Sequence, residues 1–372
     1  MVLPHKAITA VVILLALLTG CLETEPTDTP ISPTPTLAIP VVESPQPPNK
    51  LALPTVKVTP TSLLGDTWIR PSDGMTMINV SSGTFRMGST QAEIEDAIIL
   101  CKQHYSNCNR WYYQRESPQH MVFLDGFWLD QTEVTNTQFR QCVEDGECSE
   151  PLACKKGEPT YDDPSKSDHP VVCVSWDEAQ AYCEWTGGRL PTEAEWEYAF
   201  RGENGFIYPW GNAFDGTKLN YCDANCDIPH ADNHYDDGYQ KTAPSKSFPQ
   251  DVSWGGALGM SGNVSEWVAD WFGKFSPESF SNPVGPTSGS QKMVKGCSWF
   301  FHPAYCRGAA RASVDPDTRY DYLGFRCVIS TESAFSESVP PTESPSPPIA
   351  ESTIPVTKRN PPTIDGTLLS GE

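Results

Sequence analysis

Positive charge is scarce in this chain of 372 residues. Lys and Arg number 26 against 47 Asp and Glu, for a formal net charge of −21, and the basic residues form no run. Binding a nucleic-acid backbone takes concentrated Lys and Arg, so no nucleic-acid partner is expected. The acidity itself serves solubility and selects no partner. Long apolar runs are missing too: none reaches the roughly 20 residues of a comfortable membrane span. There is no G-x-S-x-G, no H-E-x-x-H and no glycine-rich phosphate loop. That removes the usual signatures of serine hydrolases, zincins and nucleotide-phosphate binders. No internal repeat is apparent.

What is present divides the chain into four parts. Residues 1–20 read as a lipoprotein signal peptide: Lys6 supplies the charged start, A-V-V-I-L-L-A-L-L the short apolar stretch, and L-T-G-C (Leu18 to Cys21) is similar to a bacterial lipoprotein cleavage box. Cys21 is then the lipidated first residue, and the membrane a partner through that anchor. Residues 21–66 form a lipid-anchored linker rich in Pro and Thr, with ten of the 35 prolines between Leu22 and Pro60. Residues 331–372 repeat that composition as a disordered Pro/Ser/Thr-rich tail. Neither segment carries enough apolar surface to offset the ordering of its backbone. Residues 67–330 are one domain-sized unit.

That unit holds twelve of the thirteen cysteines. In a chain exported by its leader, disulfides are the default. Spacing suggests local pairs such as Cys101 with Cys108 and Cys222 with Cys226, and leaves the connectivity open.

Capping patterns predict three short helices. Thr135 with Gln138 opens one whose Phe139, Cys142 and Val143 share a face. Ser175 with Glu178 opens a second, with Trp176, Ala179, Tyr182 and Cys183 as its apolar stripe and Gly187-Gly188 as its end. Thr192 with Glu195 opens a third, in which Trp196 and Phe200 lie four apart. Met75 to Gly88 reads as a hairpin turning at Ser82-Gly83, and His120 to Asp130 alternates as a strand pair. From Asn204 to Gly262 there is little periodicity, and a loop that long needs something to pin it. The class that follows is α+β with high loop content.

Eight motifs occur in order: G-T-F-R-M-G-S (Gly83 to Ser89), E-V-T-N (Glu133 to Asn136), P-V-V-C-V-S-W (Pro170 to Trp176), G-G-R-L-P-T-E-A-E-W-E-Y-A (Gly187 to Ala199), Y-P-W-G-N (Tyr208 to Asn212), M-S-G-N-V-S-E-W (Met260 to Trp267), G-C-S-W (Gly296 to Trp299) and L-G-F-R-C (Leu323 to Cys327). Over Met75 to Ile329 the chain resembles the formylglycine-generating enzyme, or sulfatase-modifying factor, family. The resemblance implies that family's loop-rich variant of the C-type-lectin-like fold. It also implies a family of mixed function. Its founding enzymes oxidise a cysteine in a C-x-P-x-R segment of sulfatases, using oxygen and copper(I) held by two cysteines, while other members use only the scaffold.

By that resemblance the two copper positions fall on Phe301 and Cys306. Phenylalanine offers no donor, and copper(I) selects soft thiolates. Cys306 is therefore the one catalytic candidate if the chain is an enzyme, and copper is not expected. His302 follows the lost position as a conceivable substitute ligand. Cys297 stands where the family usually has a glycine. A Cys297–Cys306 disulfide would make Cys306 inert, the alternative being a lone thiol. Cys183 and Cys327 match the family's structural disulfide.

The resemblance also implies structural calcium, held by the Asn220 side chain, the Tyr221 carbonyl, the Asp237 side chain and the Tyr239 carbonyl. A second family site would use the carbonyls of Gly262 and Val264 with Glu266, but its usual Asn or Asp maps to Gly259. The His230 to Asp237 segment reads as a solvated acidic loop in preference to a zinc or iron site. The expected function is an extracytoplasmic lipoprotein that binds a protein, peptide or glycan. The alternative is a formylglycine-generating or other family oxidoreductase with altered metal chemistry.

Overall fold

Capping chemistry sets the starts of the longer helices. The computed structural model describes residues 66–229 and 231–331. Cys21, the signal peptide, the linker up to residue 65, the tail from residue 332 and His230 lie outside the described residues. Among the described residues, helices α1 (Gln91–His104), α3 (Asn136–Glu144), α4 (Trp176–Trp185) and α5 (Glu193–Arg201) each begin with a reciprocal capping box, from Thr90, Thr135, Ser175 and Thr192 respectively. The expected three are α3, α4 and α5. The sequence reading passed over α1, although Thr90 and Glu93 carry the same signature, and over the short α2 (Arg110–Gln114). No helix among the described residues is long and apolar enough to cross a membrane.

The strands β1 (Thr67–Ile69), β2 (Thr76–Val80), β3 (Gly83–Met87), β4 (His120–Leu124), β5 (Phe127–Asp130), β6 (Ser265–Trp271), β7 (Phe280–Ser281), β8 (Lys292–Lys295), β9 (Ala312–Val314), β10 (Leu323–Phe325) and β11 (Val328–Ser330) form three sheets. Their orders are β1-β2-β5-β11, β10-β6-β8-β9 and β3-β4-β7. The expected hairpin over Met75 to Gly88 is corrected here. β2 pairs with β5 and β3 pairs with β4, so both chain segments change sheet at a corner. The corners meet at Gly126, where a Cβ would stand 3.2 Å from the Val80 carbonyl and 3.3 Å from the Ser82 amide. Side chains lower this crossing by filling both faces: Val80, Phe85, Val122 and Leu129 are buried together with Trp196 and Phe200 of α5. Every residue of α5 is buried, so it forms the central rod of the domain. A second cluster joins α3 and α4 to β10, with Phe139 stacked on Tyr182 at 5.5 Å and Tyr182 edge-on to Phe325 at 5.4 Å.

Six disulfides staple the described residues: Cys101–Cys108, Cys142–Cys148, Cys154–Cys173, Cys183–Cys327, Cys222–Cys226 and Cys297–Cys306. The sequence reading did not assign Cys142, Cys148, Cys154 or Cys173 to pairs. Cys183–Cys327 closes a separation of 144 residues, tying α4 to the turn between β10 and β11. In a chain-entropy account a loop of that length is worth about 5 kcal/mol.

The long irregular segment between α5 and β6 is pinned by polar contacts. Arg326 is fully buried and forms a fork with Glu266, both contacts at 2.8 Å. It also donates to the carbonyls of Leu258 at 2.9 Å and of Asp130 and Gln131 at 3.2 Å. Asn263, held in the left-handed region at φ 66°, donates to Glu133 Oε1 at 2.9 Å and accepts the Ala243 N–H at 2.8 Å. These contacts explain why the L-G-F-R-C, E-V-T-N and G-N-V-S-E-W motifs occur in one chain. They are three sides of one buried polar seam.

Candidate functional site

The stretch from Lys295 to Arg311 leaves the end of β8 and returns towards β9 as an irregular loop, and buried ion pairs clamp both of its ends. Lys295 reaches Glu197 at 2.9 Å. Arg307 forks onto Glu116 at 2.6 and 2.8 Å, and Arg311 onto Glu193 at 2.6 and 2.7 Å. Gly296 sits at φ 76°, where a Cβ would lie 3.2 Å from the Trp196 ring. The Trp299 indole donates to the Asp321 carbonyl at 3.1 Å.

Within this loop Cys297 and Cys306 are bonded to each other, with Cα atoms 4.5 Å apart, and both are buried. The ring of Phe301 packs 5.4 Å from Tyr305 and 5.5 Å from Tyr322. His302 turns away: its Nε2 lies 3.8 Å from Sγ of Cys101, in the Cys101–Cys108 disulfide, and its ring 4.8 Å from Tyr305. A copper(I) site needs two thiolates, and these residues supply none, since one position is a hydrocarbon ring and the other a disulfide sulfur. The residues do not fit copper. Among the described residues, no three of His, Cys, Asp and Glu converge as a metal cluster.

Beside the loop lies a cleft of about 290 Å³ whose walls include Lys156, Lys241, Trp299, Phe300 and Asp321. Phe300 stacks on Tyr322 at 4.8 Å, and Tyr322 on Tyr320 at 4.8 Å. Lys156 Nζ stands 4.3 Å over Phe300, and Lys241 pairs with Asp321 at 2.7 Å. The sequence reading did not single out Lys156 or Lys241, which lie far apart in the chain.

The residues expected at the first calcium site come together. The Asp237 carboxylate accepts the Tyr239 N–H at 2.8 Å and a backbone bond from Tyr221, the neighbour of Asn220. The Asn220 amide nitrogen donates to the Lys241 carbonyl at 2.8 Å. Asn220 Oδ1 and Asp237 Oδ2 are both buried without a hydrogen bond. Burial, with Asp223 close by, pushes the Asp237 carboxyl up to about 7. Two buried oxygens without a hydrogen bond, one amide and one carboxylate, are donors of the kind that fits a hard cation.

At the second expected set the structure differs. Glu266 spends both oxygens on Arg326 and also accepts the Trp196 indole N–H at 2.7 Å, so Gly262, Val264 and Glu266 include no free carboxylate. In the His230 to Asp237 segment, Asp232 is bound by the His234 ring at 2.7 Å and by the Tyr221 hydroxyl at 2.9 Å.

A loop-rich, disulfide-stapled α+β scaffold carrying the ordered motifs defines a domain of the sulfatase-modifying-factor type. The family model described as "Sulfatase-modifying factor enzyme 1-like domain" matches residues 69–331, and the chain belongs to that family. It is 34% identical over 301 residues to the formylglycine-generating enzyme of Mus musculus, covering 69% of this chain and 76% of that protein. It is 28% identical over 318 residues to a Bos taurus protein named "Inactive C-alpha-formylglycine-generating enzyme 2", covering 73% of this chain and 94% of that one. The structure of PvdO from Pseudomonas aeruginosa superposes with a TM-score of 0.54 at 23% identity, over 72% of this chain and 98% of that one, a likeness of fold alone.

Proposed function

We propose that this domain is a non-catalytic, extracytoplasmic binding module that takes an extended polypeptide segment in the cleft beside Trp299 and Phe300. The carrying observation is the bonding of Cys306 to Cys297 with Phe301 at the other copper position. The oxidoreductase reading has Cys306 alone to offer, and a disulfide sulfur is neither nucleophile nor ligand. The cleft offers what peptide recognition uses: aromatic faces for side chains, and Lys156, Lys241 and Asp321 for charged groups and backbone dipoles. Six disulfides suit an oxidising compartment outside the cytoplasm. The L-T-G-C box supports a lipid anchor at Cys21 that holds the domain at a membrane face. Calcium at Asn220, Tyr221, Asp237 and Tyr239 serves as the pin of the long loop, its chemistry limited to neutralising Asp237 and fixing backbone carbonyls.

Two experiments on the full-length oxidised chain test the reading. Incubated with copper(I), oxygen and a synthetic C-x-P-x-R peptide, the protein leaves the peptide cysteine intact by mass spectrometry. Conversion to formylglycine overturns the proposal. A displayed peptide library enriches a defined motif on the wild-type protein, and Phe300→Ala with Lys156→Glu abolishes that enrichment. Equal enrichment on wild type and variant removes the cleft as the site.

A further inference from the structure

A cavity of about 350 Å³ lies at the start of α5 and shares no residue with the cleft beside Trp299. That volume is at the small end of ligand-binding pockets. Its walls are mainly apolar, with Met87, Ala194, Trp271, Phe275 and Phe280 among them. Phe275 and Phe280 stand edge-on to the ring of His120, another wall residue, at 4.7 and 5.7 Å.

Two hydrogen-bond acceptors are set among these walls. The first is Asp270, which is only 6% exposed. Its Oδ2 accepts the Glu193 N–H at 2.8 Å, while Oδ1 carries no hydrogen bond. Asp270 forms no ion pair among the described residues, because Arg311, the cation beside it, is bound to Glu193 instead. The other Arg311 donors go to the carbonyls of Arg115 and Gly273 and to the Met293 sulfur. Lys274, the remaining cation of the walls, is exposed to solvent. The second acceptor is His120. Its Nδ1 lies 3.0 Å from the Pro118 carbonyl, which can only accept, so Nδ1 carries the proton and Nε2 is the acceptor of the neutral ring.

Acceptors without donors in an apolar cavity call for a ligand that brings donors. Charge narrows the class. A buried carboxylate without a partner is costly to hold ionised. A ligand carboxylate or phosphate adds like charge, and an alcohol brings a donor but leaves the anion unpaired. A primary ammonium brings three donors and the opposite charge together. We propose that this cavity binds a small primary amine on an apolar stem, its ammonium on Asp270 Oδ1 and its stem against Met87 and Phe275, with His120 as a further acceptor. Gly285 makes the approach possible. It sits at φ 67° on the cavity wall, and a Cβ there would stand 2.6 Å from Asp270 Oδ1. The site is separate from the peptide cleft and does not depend on it.

Calorimetric titration of the full-length oxidised chain tests this, with phenethylamine as the probe and phenethyl alcohol as its uncharged counterpart. The work is done near pH 8, where a carboxylate is ionised and an alkylammonium is still charged. The wild type takes one equivalent of the amine and binds the alcohol at least about tenfold more weakly, the loss expected for a charge-assisted hydrogen bond. Asp270→Asn keeps an acceptor for the Glu193 N–H, removes the charge and weakens amine binding by a similar factor. Gly285→Ala, at an exposed position, sets a methyl group against Oδ1 and has the same effect, so the test stands even if Asp270→Asn does not fold. Phe300→Ala with Lys156→Glu leaves amine binding unchanged, which separates this site from the cleft. No binding at millimolar amine, equal affinity for amine and alcohol, or amine binding indifferent to Gly285→Ala overturns the proposal.

Discussion

Cys297 and Cys306 are bonded across a loop of which Phe301 occupies the middle, its ring against Tyr305. The bond makes the loop a rigid staple. In the folded protein, a thiol reagent should find no reactive cysteine among the twelve of the domain. Cys297→Gly combined with Phe301→Cys frees Cys306 and sets a second sulfur beside it. Copper(I) binding should then tighten by roughly a hundredfold or more, because two soft thiolates replace none. Titration against a copper(I) chelator measures this, and unchanged affinity would show that the loop no longer has the geometry.

The Arg326–Glu266 fork should dominate the mutational map of stability. Arg326→Met leaves Glu266 charged, buried and unpaired, at a cost of about 3–5 kcal/mol. Replacing both residues with apolar ones of similar volume should cost much less, since no orphan charge remains. Urea denaturation of the single and double variants separates these outcomes.

Asp270 gives stability a definite pH dependence. Its Oδ2 accepts the Glu193 N–H at 2.8 Å at the start of α5. Burial, with Glu193 and Glu195 near, pushes its carboxyl up to about 7. A raised folded value means that the native state holds the proton more tightly than the unfolded chain does. The stabilisation is complete below the unfolded value near 4 and is lost as pH rises through 7. The slope contributed is up to about 1.4 kcal/mol per pH unit. Asp270→Asn should flatten that fall between pH 4 and 7, and denaturation midpoints across that range check it.

Chelation should destabilise the domain. With calcium at a hundredfold excess over its dissociation constant, the bound ion adds about 2.7 kcal/mol. EDTA should therefore lower Tm by several degrees, and Asp237→Asn should abolish that dependence. A Tm indifferent to EDTA removes the calcium reading.

Much of the site chemistry was legible in linear order, because it rests on residue type at a fixed position. Once the family resemblance places a copper position at Phe301, no coordinates are needed to see a missing donor there, while Cys297 offered a pairing with Cys306 that the structure decided. Glu133 and Asp251 were less legible. Each sits in an ordinary motif or loop, and Glu133 reaches its place beside residue 259, 126 positions away, because glycine brings no side chain there.

The sequence by itself determined what is local or compositional. Thr135, Ser175 and Thr192 start helices because a hydroxyl can reach an amide three residues on, and the ordered motifs identify the family. Tertiary structure decided which strands pair, which of Cys142, Cys148, Cys154 and Cys173 bond, and which carboxylate Arg326 takes. β2 and β3 look like a hairpin to a local reading. They separate because β2 takes its ladder from β5 and β3 takes its ladder from β4, in different sheets. Partners of that kind are chosen by packing between distant segments, and a buried charge settles on whichever opposite charge the finished core brings within reach.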